Sequence, residues 1–188
     1  MIFEHWIYST AIAIIVGMIY YKQTGSDHSW IIIGSAYVPD LDIIADAVFK
    51  KIGIIVLIPD NPIKHGDFHN IAVLLLFAVL AALLLQTVGI RLMDSFIFAG
   101  IGFGAHLFED ALVFNPGYCF FWPLSDQKFG IGVVEYTRDW YGIADTEVLV
   151  VGLIAVVICV AVRAVYEGNG WVKRMVVPGW VLDRSDQS

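Results

Sequence analysis

Apolar positions gather into five long blocks, Trp6–Tyr21, Trp30–Phe49, Ile71–Ile90, Ser95–Phe114 and Val148–Tyr166. The third contains fifteen uninterrupted apolar residues, Ile71–Leu85, with no polar stripe to face water. A helix rises about 1.5 Å per residue, so about 20 residues cross a hydrocarbon layer of roughly 30 Å. The pattern therefore predicts an all-α, polytopic membrane bundle of about five membrane helices. Blocks three and five are apolar almost all round, as lipid-facing spans are. Blocks two and four are not: the second holds Pro39, Asp40, Asp42 and Asp46, the fourth His106, Glu109 and Asp110. An aspartate near the bilayer centre costs roughly 2.5–3.5 kcal/mol on insertion scales, so these side chains are expected to face the bundle interior or a watery cup.

Composition agrees with this reading. Hydrophobic residues make up 59% of the 188 and charged residues only 15%, with mean hydropathy +0.75. The net charge of −7 argues against a nucleic-acid partner. The amino terminus carries Glu4 and His5 where a signal peptide has basic residues, and is expected to be a retained span. Cys119 and Cys159 lie in segments of different character and imply neither a disulfide framework nor a cysteine metal cluster. Gly168-Asn169-Gly170 breaks the last helix, dividing a membrane domain, residues 1–167, from an interfacial or cytoplasmic tail, residues 168–188. Asn61-Pro62 reads as an N-cap and first helical residue, which would make Lys64–Asn70 the opening turns of the third helix.

A chain crossing five times in alternation brings the unusual residues to one side. His5 opens the first helix, Asp40 and Asp42 lie in the second, His65 and His69 open the third, and His106 and Asp110 close the fourth. That side is strongly acidic and holds four of the five histidines. Histidine with carboxylate is the ligand set of zinc, manganese or iron, whereas oxygen alone would suit magnesium or calcium. His65/His69 and His106/Asp110 are i, i+4 pairs, able to share one helical face. Each signal alone has a plainer reading. The histidine pair also suits a solvated turn, Asp40 or Asp42 a helix cap, His5 an interfacial residue, and Glu109 a water-facing position. The segment HGDFH lacks the second-position glutamate of a zincin helix. The seven residues His5, Asp40, Asp42, His65, His69, His106 and Asp110 are the candidate metal ligands, with Asp42 and Glu109 as candidate proton acceptors.

Pro39-Asp40-Leu41-Asp42, His65, His69-Asn70, His106 with Asp110, Pro116-Gly117 and Trp122-Pro123-Leu124-Ser125 occur in this order. In that order they resemble the motifs of the YdjM-like inner-membrane proteins, which are labelled metal-dependent hydrolases. The resemblance covers roughly residues 1–132 and departs from the family pattern at His65, which no arginine follows. It implies a site for one or two divalent ions, zinc first with manganese or iron as alternatives, in a multi-pass inner-membrane protein. A site at headgroup depth suggests a lipid or lipid-linked phosphoester or ester as substrate. The competing readings are a proton- or cation-coupled transporter, which predicts polar residues continuing to the opposite face, and a scaffold with a structural metal. The slight excess of basic residues on the opposite face places the site outside the cytoplasm.

Overall fold

The computed structural model describes residues 2–52, 65–114, 116–133 and 146–176. Among these residues seven helices follow in order: α1 (Ile2–Thr24), α2 (Ser29–Ser35), α3 (Leu41–Ile52), α4 (Ile71–Gln86), α5 (Leu92–Val113), α6 (Thr146–Glu167) and α7 (Trp171–Val176). Among the described residues there is no strand, only a single antiparallel bridge between Tyr118 and Phe129.

The expectation of about five membrane helices is corrected. Among the described residues only α5 and α6, each of 22 residues, are long and apolar enough to cross a bilayer. Block one does form a 23-residue helix, with Glu4 and His5 near its start and Lys22 and Gln23 near its end. Block two breaks at Ala36–Asp40 into helices of 7 and 12 residues. Pro39 is the reason: it disfavours helical backbone at the preceding residue and has no N–H to give. Block three yields α4, whose 16 residues reach only about 24 Å. The predicted start of the third helix at Asn61-Pro62 lies outside the described residues. The structure instead starts α4 at Ile71, with Asn70 Oδ1 accepting from the Val73 N–H at 2.9 Å.

The two long helices differ in surroundings: 61% of the apolar window of α5 is buried, against 11% for α6. Helix α5 is the hub, packed by α1, α2 and α4, while α6 leans mainly on α1. Ile14, Ile31, Ile32, Phe98 and Ala99 fill the space between them, joined by Trp171 and Met175 of α7. Leu76, Leu80 and Leu84 of α4 and Val151, Ile154 and Val157 of α6 face outward, where lipid suits them. At Gly102, a methyl group would collide with the Ile32 carbonyl, so only glycine lets α2 lie this close to α5. One turn further along both helices, the same approach sets Ala36 against His106.

A buried ionic knot ties α6 to the rest. Arg163, with no exposed surface, binds Asp27 Oδ2 at 2.5 Å and the Ile14 carbonyl at 3.2 Å. Its Nε lies 3.3 Å from Glu167 Oε1, and Arg174 binds Glu167 Oε2 at 2.6 Å. The far end of α6 is held by Tyr8, whose hydroxyl donates to the Val148 carbonyl at 2.8 Å.

Candidate metal centre

At the opposite end of the bundle from Arg163, three helix termini and one turn meet. The start of α1 supplies His5, and the last turns of α5 supply His106, Glu109 and Asp110. The break before α3 supplies Asp40, with Asp42 in the first turn of that helix. His65 and His69 come from the turn before α4. They are not on one helical face as their spacing predicted, because residues 65–69 are not helical. Gly66, at φ +104°, makes that turn possible, and its missing Cβ leaves room for the Tyr118 ring. All eight residues named from the sequence lie in this one cluster.

Its centre is a set of donor atoms turned toward each other. His69 Nε2 lies 3.2 Å from His106 Nε2 and 3.2 Å from Asp110 Oδ2, and His106 Nε2 lies 3.5 Å from the same oxygen. Asp40 Oδ1 is 3.7 Å from both imidazole nitrogens. Ligand bonds of about 2.0–2.2 Å in a tetrahedron separate the donors by about 3.3–3.6 Å, close to the 3.2–3.7 Å of these five pairs. Asp110 Oδ2 is buried and makes no hydrogen bond among the described residues, as an atom reserved for a cation would.

The histidine tautomers point the same way. His106 Nδ1 donates to the Ala36 carbonyl at 2.7 Å, a group left free because α2 ends there. Its Nε2 must then present a lone pair to the cluster when the ring is neutral. His5 Nδ1 is likewise held by Glu109 Oε2 at 2.7 Å, leaving Nε2 to face Asp110 Oδ1 at 3.3 Å. The ring of His5 stacks on His106 with centroids 3.9 Å apart.

Among the described residues, three overlapping triads have ligand atoms close enough for an ion: Asp40/His69/His106, His5/His106/Asp110 and Asp42/His65/His69. They are not independent. His106 has one nitrogen to give, and the central set uses it, which leaves the His5 group two donors. Asp42 is saturated: Oδ1 faces His65 Nδ1 at 3.0 Å, while Oδ2 accepts from the N–H of Gly66 at 2.7 Å and faces His69 Nδ1 at 3.4 Å. An aspartate so occupied orients His69 and fixes the turn. Expected from the sequence as a proton acceptor, it has little accepting capacity left.

Electrostatics separate this cluster from an ordinary buried network. Asp40, Asp42, Glu109 and Asp110 have no lysine or arginine partner among the described residues; every ion pair they make is to histidine. Burial alone would lower the His69 pKa, but the neighbouring carboxylates of Asp110, Asp40 and Asp42 outweigh it and raise it to about 10. Burial likewise pushes the Asp42 carboxyl up, yet His65, His69 and the Gly66 N–H hold it below the usual carboxylate range. The pocket of negative charge takes either protons or a metal cation.

Tyr118 is the participant that sequence reasoning passed over. Its ring lies 4.4 Å from that of His69, and its hydroxyl 3.4 Å from His65 Nε2. In the sequence it reads only as one aromatic among many in an interfacial loop.

Fold and site together define a membrane-associated helical protein with a buried histidine and carboxylate cluster suited to a divalent cation. The chain belongs to the YdjM inner membrane protein family, whose model matches residues 1–170. No curated protein and no solved structure matches it.

Proposed function

We propose that the protein is a membrane-bound, divalent-metal-dependent hydrolase acting on a phosphoester or ester of a lipid or lipid-linked molecule. One observation carries the reading. His106, tied through Nδ1 to the Ala36 carbonyl, aims Nε2 together with His69 Nε2 and Asp110 Oδ2 into a nest of four carboxylates that no lysine or arginine among the described residues neutralises.

Asp40, His69, His106 and Asp110 would hold the ion, and zinc suits this mixed nitrogen and oxygen set best. A bound divalent ion supplies water with a pKa lowered toward about 7 and an electrophile for a phosphoryl or carbonyl oxygen. The protein's own groups do the rest. Asp42 aligns His69 and Glu109 aligns His5. Glu109 Oε1, buried and without a hydrogen bond among the described residues, accepts the proton of the attacking water. The water oxygen joins phosphorus or carbon as the bond to the departing oxygen breaks, and that oxygen takes up a proton. The basic side chains Lys22, Arg91, Lys173 and Arg174 lie at the opposite end, so the site faces out of the cytoplasm on this reading.

The transport reading requires a polar path between the two ends. Ala13, Ile14, Ile32, Phe98 and Ala99, all buried, pack the space between them, which favours a one-sided cup. The test is metal content of the purified full-length protein in detergent, with hydrolysis of model phosphodiester and ester substrates before and after chelation. Zinc retained at about one ion per chain and activity lost with it are expected. Undiminished metal in His106→Ala and Asp110→Ala would refute the site.

A further inference from the structure

Among the described residues the cluster is most open at His65, with the Asp40 side chain next at 22% exposed. The side chains of His69, His106, Asp42 and Asp110 are 1%, 0%, 0% and 2% exposed, while that of His65 is 47% exposed. Against His65 lies a pocket of about 290 Å³, whose wall includes Tyr118 and Lys128.

Its far wall is a pinned loop. The Ile71 N–H donates to the Phe120 carbonyl at 2.9 Å, and the Phe129 N–H to the Tyr118 carbonyl at 3.0 Å. Cys119 Sγ donates to the Asp126 carbonyl at 3.2 Å. Lys128 is thus held beside the pocket by its neighbours. It is the one lysine or arginine among the described lining residues, and no carboxylate among the described residues pairs with it. A cation at the mouth of the pocket draws an anion there. The same loop leaves Phe121, Leu124, Phe129, Ile131 and Val133 exposed, Leu124 at 93%. Such a row of apolar side chains on an irregular segment belongs in the lipid interface.

We propose that the pocket beside His65 receives the phosphate of a membrane lipid, with Lys128 as the residue that selects the anion and the apolar rim of the loop seating the acyl chains. This rests on the hydrolase reading above and narrows it: the substrate is a lipid phosphoester, and a neutral lipid ester lacks the charge that Lys128 recognises. Tyr118 forms the inner wall and spaces the headgroup from His69.

The test uses zinc-loaded, full-length protein in detergent micelles, titrated with phosphatidic acid, diacylglycerol and inorganic phosphate, for the natural chain, Lys128→Gln and Lys128→Arg. Phosphatidic acid is expected to bind at least tenfold tighter than diacylglycerol or free phosphate. Lys128→Gln should lose the preference over diacylglycerol and Lys128→Arg keep it, with zinc content unchanged in both. Because Lys128 is exposed, its replacement leaves the core intact. A preference that survives Lys128→Gln overturns the proposal, and free phosphate binding as tightly as phosphatidic acid overturns its lipid part. Headgroup hydrolysis, followed in the same samples, is the separate readout. Its absence alongside a Lys128-dependent binding preference would refute the hydrolase reading while leaving the pocket's selectivity standing.

Discussion

The molecule buries charge at both ends and treats it in opposite ways. Around Arg163 the account closes: Asp27 and Glu167 face Arg163 and Arg174, and the guanidiniums also reach the Ile14 carbonyl and the Tyr21 ring. Around His106 it does not close. Four carboxylates meet four imidazoles, groups that carry positive charge only when protonated. A guanidinium is permanently charged and makes a finished structural tie. An imidazole gives up its proton to a metal, so the second cluster is a site with a place for a cation rather than a tie. Burial alone would not distinguish the two; the choice of cationic partner does.

The largest expected effect comes from breaking the closed end. Arg163→Ala strands Asp27 in the interior, and removing one partner of a buried ion pair costs about 3–5 kcal/mol. Thermal unfolding of the detergent-solubilised protein should show a severe loss, with part restored in Arg163→Ala/Asp27→Ala. The matching change at the open end should behave differently. Asp110→Asn removes one of the three carboxylates that hold a proton on His69, so the metal-free protein should lose some stability at neutral pH but far less than Arg163→Ala does, while metal affinity falls on the order of 100-fold or more. If Asp110→Asn destabilises the metal-free chain as much as Arg163→Ala does, the cluster is a second structural tie and the contrast collapses.

How far this contrast can be read from the sequence depends on what each residue needs. His5, Asp40, Asp42, His65, His69, His106, Glu109 and Asp110 were legible because each is conspicuous in an apolar setting, and chain direction alone brings them to one end. The path they take was not legible. The sequence pattern predicts five spans, yet Pro39 divides the second block, and block three is too short once Asn70 sets its start. Hydropathy counts apolar residues and cannot see where a break leaves a carbonyl free, so the bond from Ala36 to His106 was invisible. Asp27 and Arg163 are 136 positions apart and match no motif; only the packing of α6 on α1 reveals them as partners. Tyr118 was hidden for another reason: its role depends on the turn at Gly66, which the helical reading of residues 64–70 had removed.

A smaller effect is expected where the two regions are joined. Gly102 lies one turn before His106 and touches the Ile32 carbonyl. Gly102→Ala would push α2 from α5 at an overpacking cost of about 1–3 kcal/mol. The same displacement should lengthen the His106 bond to Ala36, so zinc affinity should fall about 10- to 100-fold, as for other partners that orient a ligand. Gly100→Ala is the control, since nothing lies within 4 Å of a methyl group there. Equal loss of affinity in both variants would show that α2 does not set His106.

The smallest effect concerns protons and sharpens the contrast most directly. In the metal-free chain His69 is raised to about 10 by Asp110, Asp40 and Asp42 against the opposing effect of burial. A histidine raised above its unfolded value near 6.5 contributes stability that is complete below that value and is lost as the pH climbs through about 10. An arriving ion needs the Nε2 lone pair, so at pH 8 uptake must expel that proton. Calorimetric titration of zinc into the metal-free protein, in two buffers of different ionisation heat, should therefore show release of about one proton per ion. Affinity should rise with pH across the range from 6.5 to 10. Uptake without proton release would mean that the carboxylates around His69 already have another cation, and the open end would have to be redrawn as a closed one.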